Sequence, residues 1–326
     1  MPQRSVPTIE DVARVAGVSR STASRALLGG ASDLARRRVE AAARQLGYSP
    51  NPVARALASG SGLRIVVAVH GQHAGQLDDP YTTRVVAAIA GAVAAQGVGV
   101  SSRWLPFDGT AAQVLHELGQ DRTVCGVVLV NTTEALLAAL PRSLRGRVVS
   151  IGIGAPGVPC FDVDNAGAAH VILRHLYATG RRRIVMITGP GWLPCAQRPV
   201  TAYRDFMAAA GMPVRLVGGD FSARSGREAV AQILARWPDT DAVYAISDAP
   251  ALGALAALHE HGVGVPHDIA VAGFDDVPLA EFSAPALTTA SHPVERIAAA
   301  AATAVLAKRS APVTMFASEL IRRRSA

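Results

Sequence analysis

The sequence predicts an α/β protein with an all-α module at its N-terminus, and three observations carry that expectation. Capped helical runs rich in small residues fill the chain to about residue 48, whereas from Leu63 onward short β-branched runs alternate with alanine-rich helical ones. Positive charge is concentrated before that change of texture. Residues 1–62 hold nine arginines against four acids, a net +5 out of a formal +7 for the chain. A small basic module on a nearly neutral body points to a polyanion as partner of the module.

The composition also excludes whole classes. At 326 residues, half of them hydrophobic and 17% charged, the chain can bury a large core and is not a disordered protein. The longest uncharged stretch, Val85 to Ser102, contains Gln96, two serines and three glycines and falls short of a membrane span, so no membrane partner is expected. The chain reaches Glu10 and Asp11 without an apolar run, which does not fit a signal peptide, and a cytoplasmic protein is expected. Cys125, Cys160 and Cys195 are odd in number and irregularly spaced, so neither a disulfide framework nor a metal site is expected.

Taken in order, Thr8 can cap a first short helix whose Glu10 and Asp11 sit at its positive end, and Gly17 ends it. Ser19 caps a second helix to about Leu27, and Ser32 or Asp33 starts a third that ends at Leu46 and Gly47. Val12, Ala13, Ala16, Val18, Ala23, Leu27, Val39, Ala42 and Leu46 supply the apolar faces. This is a helix-turn-helix pattern. Asn51 and Pro52 then read as the cap and first residue of a short helix over 53–58, and Ser59 to Gly62 as a flexible joint. A helix of one or two turns is not stable alone and is expected to fold only when held. In the body, strands are expected at 64–69, 97–103, 124–130, 148–153, 183–187, 214–217, 242–246 and 269–272. Helices are expected at about 82–95, 111–119, 166–179, 198–210, 224–236, 250–262 and 293–307. Such alternation builds parallel sheets covered by helices, and its length favours two α/β subdomains with a ligand cleft between them.

In the second helix Arg20, Ser21, Ser24 and Arg25 form one polar face opposite Ala23, Ala26 and Leu27. A face led by an arginine can enter a major groove and offer bidentate donors to guanine. Three catalytic signals fail. Gly152 to Gly157 fits a dinucleotide glycine pattern, but Pro156 and the extended 160–163 run leave no helix to receive a pyrophosphate. His170 and His175 lie about 140° apart on one helix and cannot share a metal. Cys195 has neither a helix start nor a histidine evident beside it to make it a nucleophile. No catalytic residue, metal or cofactor is expected.

The run Thr8 to Ala13, Gly17-Val18-Ser19, Ser24 to Leu27, Leu46 to Asn51 and Ala54 to Leu57 resembles the N-terminal signature of the LacI/GalR family of bacterial transcription regulators. The body is similar to that family's periplasmic-binding-protein-like effector domain. The resemblance implies a helix-turn-helix domain over 1–50, a hinge helix and linker over 51–62, and an effector-binding and dimerisation domain over 63–326. It also implies two subdomains, roughly 63–163 with 291–320 and 164–290 with the C-terminus. It assigns DNA contacts to Thr8, Ser19, Arg20, Ser21, Thr22, Ser24 and Arg25, and in the hinge to Asn51, Ala54 and Leu57, the last as a wedge in the minor groove. Effector contacts fall to Tyr81, Trp192, Arg198, Asp248 and Asp275, with Pro199 where the family carries its arginine and Trp192 open between a core and a stacking role. The implied protein is a homodimeric repressor of a pseudo-palindromic operator, controlled by a small molecule for which carbohydrate is the default. The alternative is a solute-binding protein or a sugar-handling enzyme of similar architecture.

Overall fold

The computed structural model describes residues 7–27, 30–46, 48, 62–307 and 313–326. Asn51, Ala54 and Leu57 lie outside the described residues, as does the helix expected over 53–58.

The N-terminal module contains α1 (Ile9–Ala16), α2 (Arg20–Leu27) and α3 (Asp33–Leu46). Thr8 and Asp11 form a reciprocal capping box: the Thr8 hydroxyl accepts the Asp11 N–H, and the Asp11 carboxylate accepts the Thr8 N–H at 3.0 Å. Those bonds to Thr8 hold the Asp11 carboxyl below its ordinary range. Gly17, at φ 65°, adopts the left-handed conformation that lets the chain turn directly into α2, where the Ser19 hydroxyl accepts the Thr22 N–H at 3.1 Å. Val12, Ala13, Ala16, Ala23, Ala26, Val39, Ala42 and Ala43 are buried together as a separate small core. Alanine at the crossings allows the close helix approach that so small a core needs.

The body holds two parallel sheets. The first runs in the order β11–β5–β4–β3–β1–β2, from β1 (Arg64–His70), β2 (Gly99–Leu105), β3 (Val124–Val130), β4 (Val148–Ile151), β5 (Cys160–Val163) and β11 (Thr314–Phe316). Strand β1 is buried on both faces: Ile65, Val67 and Val69 join one core while Val66 and Ala68 join another. Helices α4 (Pro80–Val93) and α12 (Val294–Ala307) cover the first face, and α5 (Ala111–Gln120) and α6 (Glu134–Ala138) the second. The second sheet is ordered β7–β6–β8–β9, from β6 (Ile184–Ile187), β7 (Leu216–Val217), β8 (Ala242–Ala245) and β9 (Ala270–Ala272). Helices α7 (Asn165–Ala178) and α8 (Pro194–Ala209) lie on one side of it, with α9 (Ala223–Arg236) and α10 (Asp248–Glu260) on the other. A further short helix, α11 (Pro278–Phe282), follows β9, and β10 (Thr289–Ala290) pairs antiparallel with β12 (Leu320–Ile321).

The chain passes between the sheets three times, after β5, between β10 and α12, and between β11 and β12. One apolar core is continuous across the inner faces of both sheets. The structure starts α8 at Pro194 rather than 198, because Pro194 occupies the first turn, where a missing N–H is harmless, and Pro199 is accommodated inside the helix. Among the described residues no helix is long and apolar enough to cross a membrane.

Candidate functional site

Two regions carry chemistry. On α2, Arg20, Ser21 and Arg25 are exposed and Ser24 and Thr22 half-buried, while Ala23 and Ala26 turn into the small core. The polar face expected from the sequence is thus presented to solvent, anchored from behind by two buried alanines. Ser19 Oγ lies 2.9 Å from both Ser21 Oγ and Thr22 Oγ1, so this hydroxyl cluster opens the helix. Arg20 Nε stands 2.9 Å from Glu10 Oε1 on α1, a partner that spacing along α2 does not reveal. Both side chains are more than half exposed, and such pairs are worth about 0–1 kcal/mol, so the guanidinium remains easily recruited to another anion.

The second region is a cavity of about 600 Å³ between the two sheets. Its walls gather at the C-terminal ends of strands: Asn131 after β3, Gly152 after β4, Ser247 after β8 and Phe274 and Asp275 after β9. Ligand crevices of parallel sheets form in this position. Tyr81 stands in the first turn of α4, whose cap, Asp79, accepts the N–H groups of Tyr81 and Thr82 at 2.8 and 3.3 Å. Its ring stacks on His292 at 4.9 Å between centroids, and burial pushes the phenol well above its ordinary pKa. Asp275, at φ 118°, accepts from His292 Nδ1 at 2.9 Å and offers its main-chain oxygen to Arg84 at 3.2 Å. Such a backbone is costly for a residue with a Cβ and is held here by contacts from α4 and from the segment before α12.

Tyr81 and Asp275 therefore line the cavity together, whereas three other expected effector residues do not. Trp192 packs edge-on against Phe107 at 4.6 Å and lies 6.2 Å from His70, joining the loop before α8 to the first sheet beside the cavity instead of facing into it. Arg198 is engaged by Asp162, at 2.6 Å, and by the Gly152 carbonyl, at 3.0 Å. Asp248 is 0% exposed, accepting from the Thr289 hydroxyl at 2.6 Å and the Val277 N–H at 2.9 Å. Its role is internal. Burial, with Asp275 nearby, raises its carboxyl to about 8.

The sequence reading missed Asp79, Asp162, Ser247 and His292 as wall residues. Asp79 and Ser247 stand two residues and one residue before Tyr81 and Asp248, which the resemblance did assign, but nothing in the pattern around His292 or Asp162 marks either. The glycine run 152–157 is the turn between β4 and β5, with Gly152 and Gly157 at φ 124° and 79°. Cys195 does stand in the first turn of α8, contrary to expectation, yet burial and then Asp162 push its thiol up to about 12, so it stays protonated and is no nucleophile.

Comparison with known proteins gives this geometry a family. Residues 8–51 match the model for bacterial regulatory proteins of the lacI family, and residues 173–326 match a periplasmic binding protein-like domain. The HTH-type transcriptional regulator CelR of Thermobifida fusca is 34% identical over 90% of this chain and 89% of its own. The chain belongs to the lacI family. The repressor CytR of Escherichia coli is 31% identical over 89% of this chain and 86% of its own. Among solved structures, the CelR–cellobiose complex covers 98% of this chain at 30% identity and a TM-score of 0.72. The lac repressor dimer bound to operator and the anti-inducer ONPF covers 98% at 25% and 0.80. This lacI-family chain is accordingly a DNA-binding transcription regulator, and the alternative of a solute-binding protein does not account for its helix-turn-helix.

Proposed function

We propose that the chain is a cytoplasmic homodimeric repressor that binds a pseudo-palindromic operator and is controlled by a small effector, a carbohydrate by preference, held in the cavity between the sheets. One observation carries this reading: the basic helix-turn-helix with its exposed Arg20 to Arg25 face is joined to a body whose cavity presents the Tyr81 ring beside the Asp275 carboxylate, an apolar plate next to a hydroxyl acceptor. A similar chain is described in complex with cellobiose, which supports a sugar. The lac repressor dimer supports two-fold assembly, and Leu279 and Phe282, 66% and 78% exposed on α11, are apolar surface suited to a second copy. A single helix-turn-helix reads a half-site, so a dimer requires a two-fold operator. Asn51, Ala54 and Leu57 belong to the hinge in this reading, with Leu57 as the minor-groove wedge. The reading includes no catalytic step and no cofactor.

The test is a gel shift on the DNA upstream of the gene, with binding lost on removal of residues 1–62. Within the module, Arg20→Ala is expected to cost about 1–3 kcal/mol and to relax preference at one base position per half-site. Equal weakening on every sequence, measured by binding to an operator library, would make Arg20 a phosphate contact instead.

A further inference from the structure

Two side chains of the cavity wall are more than nine-tenths buried yet have a polar atom without a partner among the described residues: Ser247 Oγ and His292 Nε2. Buried polar atoms are ordinarily paired, because desolvating them without a hydrogen bond is costly. Ser247 is the cap residue of α10, a position where serine normally bonds a free helix N–H, and here it makes no capping bond. Its hydroxyl is thus available to the cavity.

His292 is fixed from three sides. Its Nδ1 lies 2.9 Å from Asp275 Oδ1, and a carboxylate can only accept, so Nδ1 carries the proton. In the neutral ring Nε2 is then an acceptor, the arrangement by which a carboxylate behind an imidazole orients its outer nitrogen. Tyr81 and Phe274 pack on the ring at 4.9 and 5.1 Å. Its place between β10 and α12 is one of the three passages between the sheets.

The charges of the wall restrict what can meet these atoms. Asp78, Asp79, Asp162, Asp220 and Asp275 all line the cavity. The two guanidiniums nearest them are engaged: Arg198 with Asp162 and the Gly152 carbonyl, Arg84 with Glu295 and the main-chain oxygens of Asp275 and His292. Burial holds the Asp79 and Asp162 carboxyls above their ordinary range, with Asp275 adding to the shift at Asp79 and Arg198 opposing it at Asp162. An anionic group would enter against five carboxylates.

We infer that His292 Nε2 and Ser247 Oγ read hydroxyl groups of the effector, and that the effector is an uncharged or cationic polyol and not a sugar phosphate or sugar acid. The inference rests on the proposed role of the cavity as effector site and adds its specificity.

Calorimetric titration of the full chain tests it with glucose, galactose, ribose, xylose, cellobiose and glucosamine against glucose phosphate, ribose phosphate and gluconate. Binding is expected only within the uncharged and cationic set. His292→Phe, which keeps the packed ring but not the acceptor, is expected to weaken that binding about tenfold, as is Ser247→Ala, while His292→Gln recovers most of it. The unliganded melting temperature shows which variants fold, and Ser247→Ala carries the test if His292→Phe does not. Binding by a phosphate or acid, or unchanged affinity in both variants, overturns the inference and leaves the effector site standing. Silence from the whole panel overturns both.

Discussion

Operator affinity is expected to fall on the order of 10³–10⁵-fold between about 50 and 200 mM salt, if the bound dimer makes some 6–10 phosphate contacts. The expectation follows from where the charge lies. Nine arginines against four acids occupy residues 1–62, and neutralising phosphates with them releases condensed counterions whose return is favoured by added salt. The pairs Arg14–Asp11, Arg20–Glu10 and Arg36–Asp33 do not remove this capacity, since exposed pairs are weak and a phosphate row can displace the carboxylate. The body contributes little, because its remaining residues carry a net of only +2. A log–log plot of affinity against salt, measured by fluorescence anisotropy, checks the slope. A flat response would remove the electrostatic basis of the DNA reading.

The stability of the body is expected to decline between about pH 4 and pH 8 relative to that of Asp248→Asn. Asp248 is fully buried at the start of α10, and burial, with Asp275 adding to it, lifts its carboxyl to about 8. A carboxyl raised in the folded state above its unfolded value of 3.8 keeps its proton while the unfolded chain gives it up. Stability is therefore unaffected below about pH 4, falls as pH rises through the window, and levels off above about 8. Each pH unit inside the window is worth up to about 1.4 kcal/mol. The asparagine variant does not titrate and is isosteric. Its carbonyl can accept the Val277 N–H while its amide donates to Thr289 Oγ1, whose hydroxyl turns to the Ala290 carbonyl 3.4 Å away. Urea unfolding of both proteins at the two ends of the window decides the matter: a gap that stays constant would mean that Asp248 is ionised throughout.

The elements were largely legible because their signals are local. Thr8 with Asp11, Gly17 and Ser19 each act within four residues, and the apolar runs at 124–130 and 242–245 are buried on both faces and so read as continuous apolar strands. The two-residue strands β10 and β12 have no period to detect, and they exist only because distant segments meet. The cavity was half legible. Tyr81 and Asp275 stand at element ends where the family resemblance assigns effector contacts, whereas His292 is defined by Asp275, Tyr81 and Phe274 folding around it. Trp192 and Arg198 were placed by type and position, but Phe107 and Asp162, both far away in sequence, claim them. Such competition between a ligand and a tertiary partner cannot be read from spacing.

The proposed function couples a basic DNA reader to a ligand cavity in another domain of the same chain, and the direct measurement of that coupling is operator affinity with and without a cavity-binding polyol, in the wild type and in Asp275→Ala. The coupling predicts an affinity change of about tenfold or more in the wild type. In Asp275→Ala it predicts unaltered operator binding with the ligand response abolished. A ligand shown by calorimetry to occupy the cavity while leaving operator affinity unchanged would contradict it.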